Sequence, residues 1–356
     1  MSELLIYGAN GYTGRLLAER ALEVGLRPVL AGRNGAEIHA LAAELGLPAK
    51  VFDLGSPAVV REGIAGAAVV LHAAGPFSAT SRPMVDACLS AGAHYVDVTG
   101  EIAVLEAVAA RDAEAREHNV MLLPGAGFDV VPTDCMAAHV KRRLPGAVRL
   151  RLGVAGVGGG ISRGTARTML EGIGGGTLVR KGGRIVALRR TPRAEIDFGR
   201  GPRPALGLSW GDVATAWHST RIPDIEVYFA LTPTLARVAS IPHAVKRVLG
   251  SGPLRSLLGR AIRSRPPGPS PERRARGRSI VVAEAWDGEG RSVRSRLETV
   301  EAYTLTAWTA VEIARRALAG QAAPGSHTPA TAYGPDFVLS FEATARHDLA
   351  TDGSCR

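Results

Sequence analysis

Three glycines spaced three residues apart constrain the fold of this chain more than any other feature. A strand-like run, Leu4 to Tyr7, precedes them, and an amphipathic stretch from Gly14 to Val24 follows. Glycine permits a tight turn, close approach of a diphosphate to the backbone and close packing of helix on strand. The free amides at the start of the helix then attract phosphate. The segment therefore predicts a dinucleotide-binding βαβ unit, with cofactor contacts from Gly8, Asn10, Gly11, Tyr12, Thr13 and Gly14.

The end of the second strand-like run bears on which dinucleotide is bound. It carries Ala31, Gly32 and Arg33 where an NAD-selective site would present Asp or Glu to the ribose 2′-hydroxyl. Gly32 leaves room beside the ribose, and Arg33 can pair with a 2′-phosphate through two hydrogen bonds. The sequence therefore predicts NADP(H) rather than NAD. A solvated loop arginine is the alternative for Arg33.

Two further strand ends are expected to reach the cofactor. Asp53 ends the third strand and could accept from the adenine amino group, or else cap the helix that follows. The small residues Ala74, Gly75 and Pro76 follow the fourth strand and would let the ribose and nicotinamide lie against the backbone. Ligands of open α/β sheets bind beyond the carboxyl ends of the strands, which is where both segments fall.

The alternation of apolar runs and amphipathic stretches predicts the fold class. Six strands are expected before residue 124, at residues 4–7, 28–31, 49–53, 69–73, 95–98 and 120–123. Helices are expected between them, at residues 14–24, 36–45, 57–65, 82–91 and 102–118. This order predicts an α/β fold with an N-terminal Rossmann-type doubly wound parallel sheet, followed by a second, α+β domain. The predicted domains are residues 1–134 for NADP binding, 135–303 for substrate binding or oligomerisation, and 304–356 as a C-terminal helix and tail packing back on the first domain.

Polar residues at the ends of the fifth and sixth strands are candidates for proton transfer. Hydride transfer needs a partner that donates or accepts a proton, usually Tyr, His, Lys, Asp or Glu. Tyr95, Asp97, Thr99 and Glu101 lie at or beyond the fifth strand, and Asp129 follows the sixth. The predicted catalytic residues are Tyr95, Asp97 and Asp129. For the first two, a core aromatic and an acceptor for loop amides remain open as alternatives.

Composition narrows the class of protein. Hydrophobic residues make up 46% of the chain and charged residues 21%, as in soluble globular proteins. Arginine interrupts every long apolar run and no export signal is visible, so we expect no membrane span and a cytoplasmic location. The net charge of +10 comes without a nucleic-acid-binding motif, so a nucleic-acid partner is not expected. No spacing of His, Cys, Asp or Glu predicts a metal site.

Several blocks together resemble the saccharopine dehydrogenase-like NADP-binding family, which includes the bacterial trans-acting enoyl reductases. The resemblance is carried by residues 8–14, 31–33, 74–77, 95–101 and 127–134. It implies an NADPH-dependent oxidoreductase that reduces a C=C (enoyl) bond of a biosynthetic intermediate. Reduction of a C=N bond, with Arg163 and Arg167 clamping carboxylates, and a non-catalytic NADP-binding protein stay open.

Partners follow from the same resemblance. The substrate would be a small molecule or an acyl thioester, and the basic run from Leu235 to Ile262 could dock an acidic acyl carrier protein or touch a membrane surface. The alternative for this run is a solvated helical hairpin. A homodimer is also left open.

Overall fold

The computed structural model describes residues 3–157, 176–232 and 267–350. The chain divides into two compact units. The first comprises Met1–Val131 and Tyr303–Gly334, and the second comprises Pro132–Ala302 and Pro335–Arg356. Arg163, Arg167 and the basic run from Leu235 to Ile262 lie outside the described residues.

The first unit is built on a parallel sheet. Its strands are β1 (Glu3–Tyr7), β2 (Val29–Gly32), β3 (Ala49–Val51), β4 (Ala67–His72), β5 (His94–Asp97), β6 (Met121–Leu123) and β15 (Gly325–Ser326). Its helices are α1 (Tyr12–Glu23), α2 (Gly35–Leu45), α3 (Pro57–Ile64), α4 (Phe77–Ala91), α5 (Ile102–Ala109), α6 (Asp112–Glu117), α10 (Ala302–Leu318) and α11 (Pro329–Tyr333).

All seven strands of this sheet pair in parallel, in the order β15-β6-β5-β4-β1-β2-β3. The chain runs outward from β1 in both directions, as in the doubly wound nucleotide-binding fold. The central strands are continuous apolar runs because helices cover the faces of a parallel sheet: Leu5, Ile6, Val70 and Leu71 are all at most 1% exposed. The predicted α/β fold class is confirmed.

Two helices differ from their predicted bounds. Helix α4 begins at Phe77, five residues before the expected start at Arg82, and it accommodates Pro83 in its interior. The single helix expected from Ile102 to His118 is two helices, α5 and α6. Arg111 lies at the break, where its guanidinium pairs with Asp86 of α4 and Glu114 of α6.

The second unit is built on a mixed sheet. Its strands are β7 (Ala147–Val157), β8 (Thr177–Lys181), β9 (Arg184–Leu188), β10 (Arg193–Asp197), β11 (Pro202–Gly207), β12 (Asp224–Ala230), β13 (Arg278–Asp287), β14 (Ser292–Val300) and β16 (Ala345–Leu349). Its helices are α7 (Val131–Arg143), α8 (Asp212–Thr220) and α9 (Pro271–Arg276), with a 3₁₀ turn at Phe337–Ser340.

The strands of the second unit follow the order β10-β11-β12-β7-β13-β14-β16, and β8 and β9 form a hairpin attached to β12. Among the strands that the structure describes in this unit, only β12 and β7 pair in parallel, and the other pairs are antiparallel. This mixed sheet with helices agrees with the predicted α+β class. Near the end of the chain, β16 is held to α7 by the contact of His139 Nε2 with Asp348 Oδ1 at 2.8 Å.

Within the described ranges, no helix is both long enough and apolar enough to cross a membrane.

Candidate functional site

The glycine loop between β1 and α1 leaves no space for a side chain at Gly8 or Gly14. Gly8 has φ +83°, and a Cβ atom there would lie 2.8 Å from the Cβ of Ala74 in the loop after β4. A Cβ at Gly14 would collide with the carbonyl oxygen of Gly8. The glycines therefore serve the turn, the contact with the neighbouring loop and the packing of α1, as the sequence predicts.

The start of α1 has no side-chain cap, since its N-cap residue is Gly11. By contrast, the side chain of Asn34 caps α2, and the Glu101 carboxylate accepts from two amides at the start of α4. Amides at an uncapped helix start beside a glycine loop form a cradle for phosphate, so these residues fit the diphosphate of a dinucleotide.

Arg33 stands at the carboxyl end of β2 as an available cation. Its side chain is exposed and makes no ion pair or hydrogen bond to any described residue. Beside it, a Cβ at Gly32 would lie 3.1 Å from Asn10 Oδ1, and Asn10 Nδ2 donates to Glu37 Oε2 at 2.6 Å. An unpaired guanidinium on this strand end suits a 2′-phosphate, which it can bind without breaking another contact.

Asp53 acts as a loop acceptor in the structure. Its Oδ1 accepts from the amide of Gly55 at 2.7 Å, within the loop before α3. The N-cap of α3 is Ser56, so Asp53 does not cap this helix. Nearby, Tyr7 donates from its hydroxyl to the carbonyl oxygen of Phe52 at 3.1 Å. Burial, with a smaller effect from the charge of Asp53, raises the pKa of Tyr7 to about 12. The contact of Asp53 with adenine stays a prediction.

The loop of Ala74, Gly75 and Pro76 is fixed by the side chain of Thr80. The Thr80 hydroxyl lies 2.7 Å from the carbonyl oxygen of Ala74 and 3.0 Å from that of Pro76. His72 Nε2 lies 3.0 Å from the same hydroxyl, and burial lowers the pKa of His72 to about 3. A neutral imidazole that donates from Nε2 leaves the Thr80 proton for a carbonyl, so His72 and Thr80 together hold this loop.

Glu101 ties the loop after β5 to the start of α4. Its two carboxylate oxygens accept from the amides of Phe77 at 2.9 Å and Ser78 at 2.8 Å. These bonds satisfy two of the amides that a helix start leaves unpaired, and the negative charge is favourable there. Capping by Glu101 therefore explains why α4 begins at Phe77, ahead of its predicted start.

Tyr95 and Asp97 form a buried pair inside the first unit. Tyr95 donates from its hydroxyl to Asp97 Oδ2 at 2.6 Å, and Asp97 Oδ1 accepts from the amides of Thr99 and Gly125, each at 2.9 Å. Both side chains have no exposed surface. Burial raises the pKa of Asp97 to about 6 although its three donors oppose the shift. The pair connects the loops after β5 and β6.

Asp129 lies in the loop after β6 and differs from Asp97 in its exposure and in its hydrogen bonding. Its carboxylate is partly exposed and has no hydrogen bond to a described residue. A Cβ at Gly100 would lie 2.8 Å from Asp129 Oδ2, so only glycine permits this approach of the two loops. Burial raises the pKa of Asp129 to about 6. A carboxyl group with these properties can exchange a proton near neutral pH.

The loop that carries Asp129 is also held from helix α10. Thr306 Oγ1 accepts from the amide of Phe128 at 2.9 Å, and Thr309 donates from its hydroxyl to the carbonyl oxygen of Ala126 at 2.6 Å. The amide of Ala126 in turn donates to the carbonyl oxygen of Asp97 at 2.7 Å. Four hydrogen bonds from β5 and α10 thus fix the backbone between Gly125 and Phe128.

The predicted site residues fall into three groups in the first unit. The glycine loop and Arg33 follow β1 and β2, Ala74 to Pro76 lie against that loop through Gly8, and Tyr95, Asp97 and Asp129 follow β5 and β6. Sequence reasoning missed the supporting hydroxyls of Thr80, Thr306 and Thr309. Only the expected packing of α10 on the first domain pointed towards the last two. Among the described residues, no group of three or more His, Cys, Asp or Glu side chains gathers as metal ligands.

Residues 4–123 match the family model of the saccharopine dehydrogenase NADP binding domain. The match confirms the resemblance drawn from the sequence blocks and the predicted cofactor, NADP(H). The fold extends the likeness: saccharopine dehydrogenase from Saccharomyces cerevisiae superposes with a TM-score of 0.66 at 12% identity, covering 98% of this chain and 100% of that one.

Curated relatives align with less than half of this chain. A trans-acting enoyl reductase of Mycobacterium ulcerans is 32% identical over 151 residues, which cover 40% of this chain and 36% of the relative. A trans-acting enoyl reductase of Mycobacterium bovis is 30% identical over 149 residues, with the same coverage of 40% and 36%. The alignments thus span well under half the length of these relatives.

Proposed function

We propose that this chain is an NADPH-dependent reductase that reduces the C=C bond of an enoyl thioester carried by an acyl carrier protein. The observation that carries the proposal is the combination, in one domain, of an NADP-type cradle and an unpaired carboxyl group with a pKa of about 6. The names of the curated relatives, trans-acting enoyl reductases, support the same reaction.

Three parts of the first unit would hold the cofactor. The amides at the start of α1 and the glycine loop would hold the diphosphate, and Arg33 would pair with the 2′-phosphate. The loop of Ala74 to Pro76, fixed by Thr80 and by the Glu101 cap, would support the nicotinamide riboside. When bound there, NADPH would supply the hydride for the β-carbon of the enoyl group.

Asp129 would complete the reduction by supplying the proton. Addition of hydride to the β-carbon leaves negative charge on the α-carbon and the thioester oxygen, and a proton at the α-carbon neutralises it. With a pKa of about 6, the carboxyl group of Asp129 is protonated often enough near neutral pH to donate. Tyr95 and Asp97 would act as positioning residues, since both are buried and satisfied by each other and by loop amides.

The experiment is an acceptor panel with the purified protein. NADPH oxidation is followed with crotonyl thioesters, with a cyclic imine and with an α-keto acid plus an amine. We expect loss of NADPH with the enoyl thioesters alone. Turnover only with the imine or the keto acid and amine would replace the proposal by C=N reduction. Tight NADPH binding without turnover of any acceptor would replace it by a non-catalytic NADP-binding role.

A further inference from the structure

Six arginines of the second unit stand in a short segment without partners. They are Arg184, Arg189, Arg190, Arg193, Arg200 and Arg203. All six are exposed, and within the described parts of the chain none makes a hydrogen bond, an ion pair or a ring contact. Only Glu195 and Asp197 offset them between residues 184 and 203. We call this set the hairpin arginines.

Many arginines elsewhere in the chain do have partners. Arg15 pairs with Glu19 on α1, Arg116 with Asp112 on α6, and Arg315 with Glu312 on α10. These helix arginines are neutralised locally, whereas the six hairpin arginines are not. Unpaired like charges held together raise the local positive potential, which attracts acidic partners.

The pairing of the strands keeps these arginines on neighbouring elements. Arg184 starts β9, Arg189 and Arg190 follow it directly, and Arg193 starts β10. The amide of Gly207 at the end of β11 donates to the carbonyl oxygen of Pro192 at 2.8 Å, which fixes the link between the hairpins. Arg200 lies in the turn between β10 and β11, and Arg203 lies near the start of β11, opposite Ile196.

The edge of β9 is the open side of this surface. Among the described strands, β9 pairs only with β8, so its outer backbone groups face no other strand. An edge bordered by arginines repels a second copy of itself, because like charges would meet. The same edge accepts a chain rich in carboxylates, which arginine binds through paired hydrogen bonds.

The chemistry of the segment favours an acidic protein over nucleic acid or lipid. Its one aromatic residue, Phe198, is only 3% exposed, so no platform for stacking bases is present. The large hydrophobic side chains that are exposed in the described residues, Val51, Val59 and Val148, all lie outside the segment. Insertion into a lipid surface would need such side chains.

We infer that the hairpin arginines are the docking surface for the acidic carrier protein that brings the enoyl thioester. The inference rests on the proposed function for the identity of the cargo, while the surface itself rests on the unpaired charges. Docking by charge acts mainly on the rate of encounter. The surface should therefore raise kcat/KM for a carrier-bound substrate and have no effect on a small thioester.

The test compares two charge reversals of equal size. Arg189→Glu/Arg190→Glu removes the centre of the surface, and Arg61→Glu/Arg82→Glu makes the same change in net charge on exposed residues of α3 and α4. The substrates are crotonyl-loaded acyl carrier protein and the crotonyl thioester of N-acetylcysteamine. We expect the first variant to lose about ten-fold or more in kcat/KM for the loaded carrier alone, with the control variant unchanged. Equal kinetics of the two variants with the loaded carrier would overturn the inference.

A binding measurement separates this inference from the proposed reaction. If neither thioester is reduced, the proposed function fails, and fluorescence anisotropy with labelled acyl carrier protein still reports docking. Weaker carrier binding by Arg189→Glu/Arg190→Glu alone supports the surface, and equal or absent binding refutes it. Binding to single-stranded RNA of about 20 nucleotides and to phosphatidylserine vesicles is measured as well. If the protein never binds the carrier, and Arg189→Glu/Arg190→Glu loses binding to the RNA or to the vesicles, the inference is also refuted.

Discussion

The substitution Asp129→Asn tests the role of the unpaired carboxyl group at the end of β6. Asparagine keeps the size of the side chain and cannot donate a proton as an acid. General acid catalysis contributes roughly 10²- to 10⁴-fold to a rate, so we expect kcat for the enoyl thioester to fall about 100-fold or more. The dissociation constant for NADPH should stay unchanged, because the glycine loop and Arg33 lie on other strands.

The pH dependence of kcat tests the same carboxyl group. With a pKa of about 6, Asp129 is half protonated near pH 6. Only about 1% remains protonated near pH 8. If the protonated form donates, kcat of the unaltered protein should fall roughly 50-fold between those two pH values. The profile of Asp129→Asn should be flat over this range. Glu62→Gln, which alters an exposed carboxylate on α3, serves as the control and should keep the original profile.

Stability separates a catalytic loss from a folding defect. Because the pKa of Asp129 is raised in the folded state, its contribution to stability is present below pH 4 and is lost as the pH rises through about 6. Asp129→Asn should therefore raise the free energy of unfolding near pH 8, by at most about 3 kcal/mol. A wild-type kcat that is constant from pH 5 to 8, or a variant with the same slope, would refute the proton-donor role.

Three further substitutions probe the support of the site. Arg33→Ala should raise the dissociation constant for NADPH roughly 10- to 100-fold, as expected for loss of a charge-assisted pair, and leave that for NADH unchanged in fluorescence titrations. Thr306→Val removes the acceptor of the Phe128 amide and should lower kcat without changing NADPH affinity, whereas Thr306→Ser should restore kcat. Gly14→Ala should weaken NADPH binding at least about ten-fold and lower the melting temperature, because its Cβ meets the Gly8 carbonyl; Gly288→Ala, in open space, should change neither.

The fold of the first unit could be predicted because the residue patterns that specify it are local in sequence. Runs such as Val69 to Leu71 are apolar throughout, which is required of strands buried on both faces, and glycine at position 14 is demanded by one close contact. The start of α4 was predicted wrongly because its cap, Glu101, lies 24 residues away in sequence from Phe77. No local sequence pattern indicates a hydrogen bond between residues so far apart in the chain.

The sequence indicated that the candidate residues lie at strand ends, and it indicated their contacts only in part. Alternation along β5 puts Tyr95 and Asp97 on one side of the strand, where a hydrogen bond joins them. Their burial, which separates them from Asp129, follows from the loop after β6 folding over β5. The bond of Thr306 to Phe128 spans 178 residues, so no spacing rule could indicate it. The hairpins β8 to β11 were likewise missed, because most residues of β9, β10 and the first half of β11 are exposed or only partly buried, which leaves no buried apolar run to mark them.

The most direct test of the account follows the hydrogen itself. Purified protein is incubated with NADPH deuterated at the transferable C4 position and with the crotonyl thioester, and the product is analysed by mass spectrometry and NMR. We predict a butyryl thioester with one deuterium at the β-carbon and a solvent-derived hydrogen at the α-carbon. Deuterium that remains on the nicotinamide, or that appears only in an amine formed from an imine, would contradict the assignment of this chain as an enoyl reductase.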